Sequence, residues 1–154
     1  MERSIRSSLP STESAPPVTI DDKLETIELF GELSKKELRS VSRLMTTVPI
    51  HAGKELMVEG EIGQEFLVII EGEATVRRQG RVLARVGPGD FLGELAVIAG
   101  VPRTATVTAD TTMSVSVLNR REFAGLLDEQ PRIARKVLVG TVKRLHSLEP
   151  GLGS

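Results

Sequence analysis

Between Thr47 and Leu118 nine glycines recur: Gly53, Gly60, Gly63, Gly72, Gly80, Gly87, Gly89, Gly93 and Gly100. Glycines at such spacing act as regular turn signals. What lies between the glycines is short and β-branched. Phe66–Ile70 reads as one strand and Ala74–Arg78 as the next, with a turn at Glu71–Gly72–Glu73 between them. Arg81–Val86 follows after a turn at Gln79–Gly80, and Ala105–Ala109 and Met113–Leu118 come later. Many short strands with regular turn signals predict an antiparallel barrel or jelly roll.

Helices flank this middle. Ser34 and Glu37 have capping-box spacing, and Leu38, Val41, Leu44 and Met45 follow at helical period, so Lys35–Thr46 reads as an amphipathic helix. A short helix before it can start at Thr19, with Asp22 three residues on, and run through Leu24 and Ile27. After the strands Asn119 caps a helix with Glu122 at box spacing and Phe123, Leu126 and Leu127 on its apolar face. Pro131 suits the first turn of a last helix, which carries Ala134, Val137, Leu138, Thr141, Val142 and Leu145 on one stripe. The expected class is α+β, mainly β: an antiparallel β-roll or jelly-roll barrel with N-terminal helices and two C-terminal helices. Residues 1–18, rich in serine and proline, read as a disordered tail. Residues 19–148 form the domain, and residues 149–154 a flexible end.

Composition removes several functions. The chain has no cysteine and only two histidines, His51 and His146, which excludes thiolate chemistry and leaves no histidine cluster for a metal. A cupin-type metal enzyme, the nearest rival on a similar barrel, needs such a cluster. No paired catalytic carboxylates point to a hydrolase, so no catalytic residue and no metal are expected. A net charge of −1 argues against nucleic acid as a direct partner. No apolar run approaches the ~18 residues that span a bilayer, and no signal region opens the chain. The expected location is cytoplasmic, with no membrane partner.

The chemistry concentrates in Phe91–Ala109. Gly93 allows a tight turn after a strand. Glu94–Ala99 suits one short helix, whose first backbone N–H groups face an anion. Arg103 offers a planar fork to phosphate oxygens, and Thr104 adds a hydroxyl beside it. Glu94 can accept hydrogen bonds from sugar hydroxyls. An acid for a sugar, with an arginine and a helix N-terminus for phosphate, describes a nucleotide pocket. The bland alternative is a structural Glu94–Arg103 ion pair, which would give little net stability if buried.

This stretch resembles the phosphate-binding cassette of the cyclic nucleotide-binding domain family, of the catabolite activator protein and protein kinase regulatory subunit type. The match runs through Leu92-Gly93-Glu94-x-Ala96 and on to Arg103-Thr104-Ala105-x-Val107-x-Ala109. An earlier family signature, Leu56-Met57-Val58-Glu59-Gly60-Glu61-x-Gly63, the run Phe66–Ile69 and Gly72 fall at the family's spacing, with Met57 where a smaller aliphatic residue is usual. The resemblance implies that Glu94 takes the ribose 2′-hydroxyl and Arg103 the cyclic phosphate. Thr104, Ala105 and the backbone of Leu95 and Ala96 complete the phosphate cradle. Val86, Phe91 and Leu92 would form the wall beside sugar and base. A side chain of the last helix would cover the base, with Leu138, Val142 and Leu145 as candidates. The implied ligand is cAMP, on family frequency. Thr104 leaves cGMP open, because a threonine after the cassette arginine can hydrogen-bond guanine.

The implied function is a non-enzymatic cyclic nucleotide receptor or regulatory domain that signals to a protein effector through its C-terminal helices. No helix-turn-helix follows the last helix in this sequence, so a DNA-binding output is not expected of the chain as given, which reads either as a stand-alone receiver or as a piece of a larger protein. The alternative is a degenerate barrel serving as a structural or interaction module without ligand. The last helix carries Arg132, Arg135, Lys136, Lys143 and Arg144 and no acid. Those cations make either a solvated face or a docking surface for an acidic partner. Its apolar stripe packs on the barrel, covers the ligand or pairs helices in a homodimer.

Overall fold

A computed structural model describes Ile5 and residues 27–148, with side chains as far as His146. A 3-10 turn at Glu28–Phe30 leads into α1 (Lys35–Leu44). Eight strands follow: β1 (Thr46–Ile50), β2 (Glu55–Met57), β3 (Glu65–Glu71), β4 (Ala74–Arg78), β5 (Arg81–Val86), β6 (Phe91–Leu92), β7 (Thr106–Ala109) and β8 (Met113–Asn119). The short α2 (Glu94–Ala99) sits between β6 and β7, and α3 (Arg120–Glu129) and α4 (Pro131–Leu148) close the chain. The strands make two four-stranded antiparallel sheets, in the orders β1-β8-β3-β6 and β2-β7-β4-β5. This is the α+β, mainly β roll that the glycine spacing predicts. The expected tail (apart from Ile5), the helix from Thr19 and residues 149–154 lie outside the described residues.

Strand β3 organises the core because both of its faces are covered. Phe66, Val68 and Ile70 point towards the helices, where they meet Phe30, Leu38, Phe123, Leu126 and Ile133. Leu67 and Ile69 point between the sheets, onto Val48, Leu56, Leu92, Val107 and Val115. The alternation has period two, so a strand buried on both sides must be apolar throughout. The Phe66 ring stacks on Phe123 with centroids 4.2 Å apart and tilts against Phe91 at 5.7 Å. Ile5 is buried in the inter-sheet cluster, and its N–H donates to the Glu65 carboxylate at 2.8 Å.

The structure adds three short strands to the five read from the sequence, β1, β2 and β6, and it shortens the first helix. The first helix stops at Leu44 rather than Thr46, because Met45 turns extended and Thr46 opens β1 opposite Val117. Pro49 obscures β1 in the sequence, and it is tolerated there because β1 lies at a sheet edge. The Gln79–Gly80 turn joins β4 to β5 with both residues at positive φ, the tight hairpin geometry that suits twisted strands.

Both helix starts expected from sequence carry complete capping boxes, Ser34 with Glu37 and Asn119 with Glu122. Glu37 does a second job, binding Arg132 of α4 through both carboxylate oxygens at 2.9 and 3.0 Å. Arg132 also donates to the Glu32 carbonyl at 2.8 Å, which fixes the start of α4 to the N-terminal side. The Ser34 backbone N–H, followed by Arg132, holds the Glu37 carboxyl below its ordinary 4.5. A depressed carboxylate stabilises the fold above its unfolded value, and the contribution is lost as pH falls through its folded value. Denaturant titrations of Glu37→Gln should therefore show a shallower fall in stability below about pH 4.5 than the unaltered protein.

Candidate functional site

The site forms where β6 ends. Gly93 stands at φ +89, a left-handed conformation that side chains rarely adopt. A Cβ there would also meet the Glu65 carbonyl oxygen at 2.5 Å and Arg103 Nη1 at 2.6 Å. Glycine at 93 thus lets the backbone reverse against β3 and begin α2 at Glu94. Gly100, at φ +70, ends α2 and returns its N–H to the Ala96 carbonyl.

Arg103 is held from several directions. Its backbone N–H donates to the Glu61 carbonyl at 2.9 Å, and its carbonyl accepts from Gly60 N–H at 2.9 Å. Its Nη2 donates to the Glu65 carbonyl at 3.0 Å. The guanidinium lies directly over Gly63, where any side chain would collide with it. The earlier glycine-rich segment and the cassette are therefore two halves of one arginine mount. The result is a guanidinium only 8% exposed, delivered to the cavity wall.

Glu94 is 3% exposed. Its partner is Arg144 of α4, whose Nη1 lies 3.1 and 3.4 Å from the two carboxylate oxygens. Arg144 Nη2 donates to the Phe91 carbonyl at 2.7 Å, and the guanidinium sits 5.0 Å from the centre of the Phe91 ring. The Thr141 hydroxyl lies 3.3 Å from Glu94 and 2.8 Å from the Val137 carbonyl, and its single proton serves one of them at a time. Gly140 makes this approach possible, since a Cβ would come within 2.7 Å of the Phe91 ring. Glu94 and Arg103 do not pair directly: each has its own partners, from α4 and from the β2–β3 loop.

Both side chains line a single cavity. Gly93, Leu95 and Ala96 form one wall with Glu94, and Thr104 and Ala105 continue it from Arg103. Val86, Leu92 and, from α4, Leu145 also line it. Ten of the thirteen positions singled out in the sequence meet there. Phe91 does not. Its neighbour Leu92 faces the cavity, so strand alternation sends the Phe91 ring to the helix side, under Arg144. Leu138 and Val142 do not line it either, being 63% and 56% exposed. The face that α4 turns inward is instead Thr141, Arg144 and Leu145, at i, i+3 and i+4.

Sequence reasoning missed three polar residues of the site: Arg78, Thr141 and Arg144. Arg78, on β4, lines the cavity and donates from Nε to the Thr104 carbonyl at 3.2 Å. Among the described residues no group of three histidines, cysteines or acids could hold a metal. No helix among them is long and apolar enough to cross a membrane.

The cyclic nucleotide-binding domain family matches residues 47–130, more than half of the chain. A cAMP-dependent protein kinase regulatory subunit of Eremothecium gossypii is 34% identical over 116 residues, which cover 75% of this chain and 25% of that subunit. A cGMP-dependent protein kinase of Caenorhabditis elegans is 33% identical over 104 residues, covering 68% of this chain and 13% of the kinase. Among solved structures, the regulatory domain of Toxoplasma gondii PKA with cAMP superposes with a TM-score of 0.66 at 27% identity. That superposition covers 76% of this chain and 48% of the other. The chain thus spans about a quarter of the length of the kinase subunit it matches.

The Glu94–Arg144 contact makes a measurable claim. Arg144→Met keeps the aliphatic stem but leaves a buried carboxylate without its counter-ion. Stability in chemical denaturation should fall by about 1–3 kcal/mol. Adding Glu94→Gln should recover part of that loss, since a neutral amide is cheaper to bury.

Proposed function

Because the chain belongs to the cyclic nucleotide-binding domain family, we propose that it is a cyclic nucleotide receptor whose ligand reports to a protein effector through α4. The observation that carries this reading is the convergence on one cavity of a buried carboxylate, a buried guanidinium and the opening turn of α2. Arg103 supplies a fixed fork for the two exocyclic phosphate oxygens. The Leu95 and Ala96 N–H groups, in the first turn of α2, have no intrahelical acceptors and complete the cradle. Glu94 accepts the ribose 2′-hydroxyl. Val86, Leu92 and Leu145 give the apolar surface for sugar and base. Nothing in this chemistry calls for a catalytic group.

Relatives named for cAMP support cAMP as the ligand. Isothermal titration with cAMP should give saturable binding. Arg103→Ala should weaken it by about 2–3 kcal/mol, the value of a lost charge-assisted contact in a dry site. Glu94→Ala should cost less and should scarcely affect 2′-deoxy-cAMP. No heat with either nucleotide, and no thermal shift, would leave the barrel as a structural module without ligand.

Arg78 favours a second reading for the base. A guanidinium finds two acceptors, N7 and O6, on the Hoogsteen edge of guanine but only N7 on adenine. Thr104 adds a hydroxyl on the same wall. If the base reaches Arg78, cGMP should bind more tightly than cAMP. Arg78→Leu should then remove about 1–3 kcal/mol from cGMP and much less from cAMP. Equal losses for both nucleotides would limit Arg78 to positioning Thr104.

The output follows from the same contacts. A ribose hydroxyl reaching Glu94 must share the carboxylate with Arg144, so occupancy of the cavity and the position of α4 are linked. The linkage shifts a population only if the two positions of α4 bind nucleotide unequally.

A further inference from the structure

The outer face of α4 is apolar where solvent should favour polar groups. Leu138 and Val142 fall at i and i+4 and are 63% and 56% exposed, Val139 beside them is 44% exposed, and Leu145, whose other side lines the cavity, continues the stripe at i+7 and is 42% exposed. That spacing is the one used when a helix is recognised by a second helix. The charges that α4 itself carries are of one sign, while Glu28, Glu32 and Asp90 share the neighbouring groove with Arg135, Val139 and Lys143. Pro131–Leu148 contains no aspartate or glutamate. Arg132, Lys136 and Arg144 are occupied by Glu37, Glu32 and Glu94. Arg135 and Lys143, beside the stripe, form no ion pair among the described residues.

We propose that this face is a docking surface for an acidic amphipathic helix of a partner protein. Leucine-type side chains of the partner would cover Leu138, Val142 and Val139, and its acids would meet Arg135 and Lys143. A second copy of this chain fits less well. Any pairing of two α4 faces sets cations against cations, and like charges flanking a helical seam are repulsive. The inference extends the receptor reading to its output, and its test needs no nucleotide.

The test uses two labelled synthetic helices with leucines at i, i+4 and i+7, one flanked by glutamates and the other by lysines. Fluorescence anisotropy is followed with the full chain in the absence of nucleotide. The glutamate peptide should saturate, and the lysine peptide should bind at least tenfold more weakly. Raising the salt should weaken the glutamate peptide. Leu138→Gln with Val142→Gln, and separately Lys143→Glu, should each weaken it at least tenfold with circular dichroism unchanged. Equal binding of both peptides, or of neither, overturns the proposal. So does a dimer in sedimentation equilibrium that Leu138→Gln with Val142→Gln dissolves, which would assign the face to a second copy. Failure of the receptor reading would appear separately, as absent nucleotide binding in a chain that still takes the peptide.

Discussion

A carboxylate buried to 3% exposure must be compensated, and the position of Glu94 makes α4 supply the compensation. An unpaired charge in such a place would cost several kcal/mol or be protonated away. Arg144 prevents this by bridging the Glu94 carboxylate, the Phe91 carbonyl and the Phe91 ring. The last helix is thereby tied to the two residues on either side of the Gly93 reversal. Other features serve that tie. Gly140 lets α4 come close enough, and Phe66 holds the ring on which Arg144 rests. Arg132, bound to Glu37, fixes the far end of the same helix.

Arg103 is anchored in a different way, with main-chain groups holding both its backbone and its guanidinium. Gly60, Glu61 and Glu65 supply main-chain partners, and Gly63 supplies the space. The cavity lining thus carries a guanidinium held by main-chain groups and a carboxylate held by side chains of α4. A ligand with a phosphate at one end and a hydroxyl at the other would engage both. Glu94 is in direct contact with α4, through Thr141 and Arg144.

Much of this was legible in the sequence. Glycine spacing and capping boxes fixed the order of helices and strands, because backbone conformation at Gly72, Gly93 or Asn119 depends on the residue itself. The cassette positions were legible because Gly93, Glu94 and Arg103 lie close together in the chain. Arg144 and Arg78 were not, since each reaches the site from a distant element and is indistinguishable in sequence from a solvated cation. Phe91 was misplaced for want of the strand phase: on a two-residue strand nothing in the sequence says which side chain turns inward. Leu138 and Val142 were misplaced for a related reason. The stripe of α4 is wider than the face it buries, and only packing against Phe91 selects Thr141, Arg144 and Leu145.

The central claim is that the cavity and α4 are coupled through Glu94 and Arg144. Hydrogen–deuterium exchange of the amides of α4, with and without saturating cyclic nucleotide, tests it most directly. The account predicts that nucleotide changes protection in Val137–Leu145 together with Glu94–Ala99, and that Arg144→Met abolishes the α4 part while the α2 part persists. Saturation of the cavity with α4 exchange unchanged would contradict it.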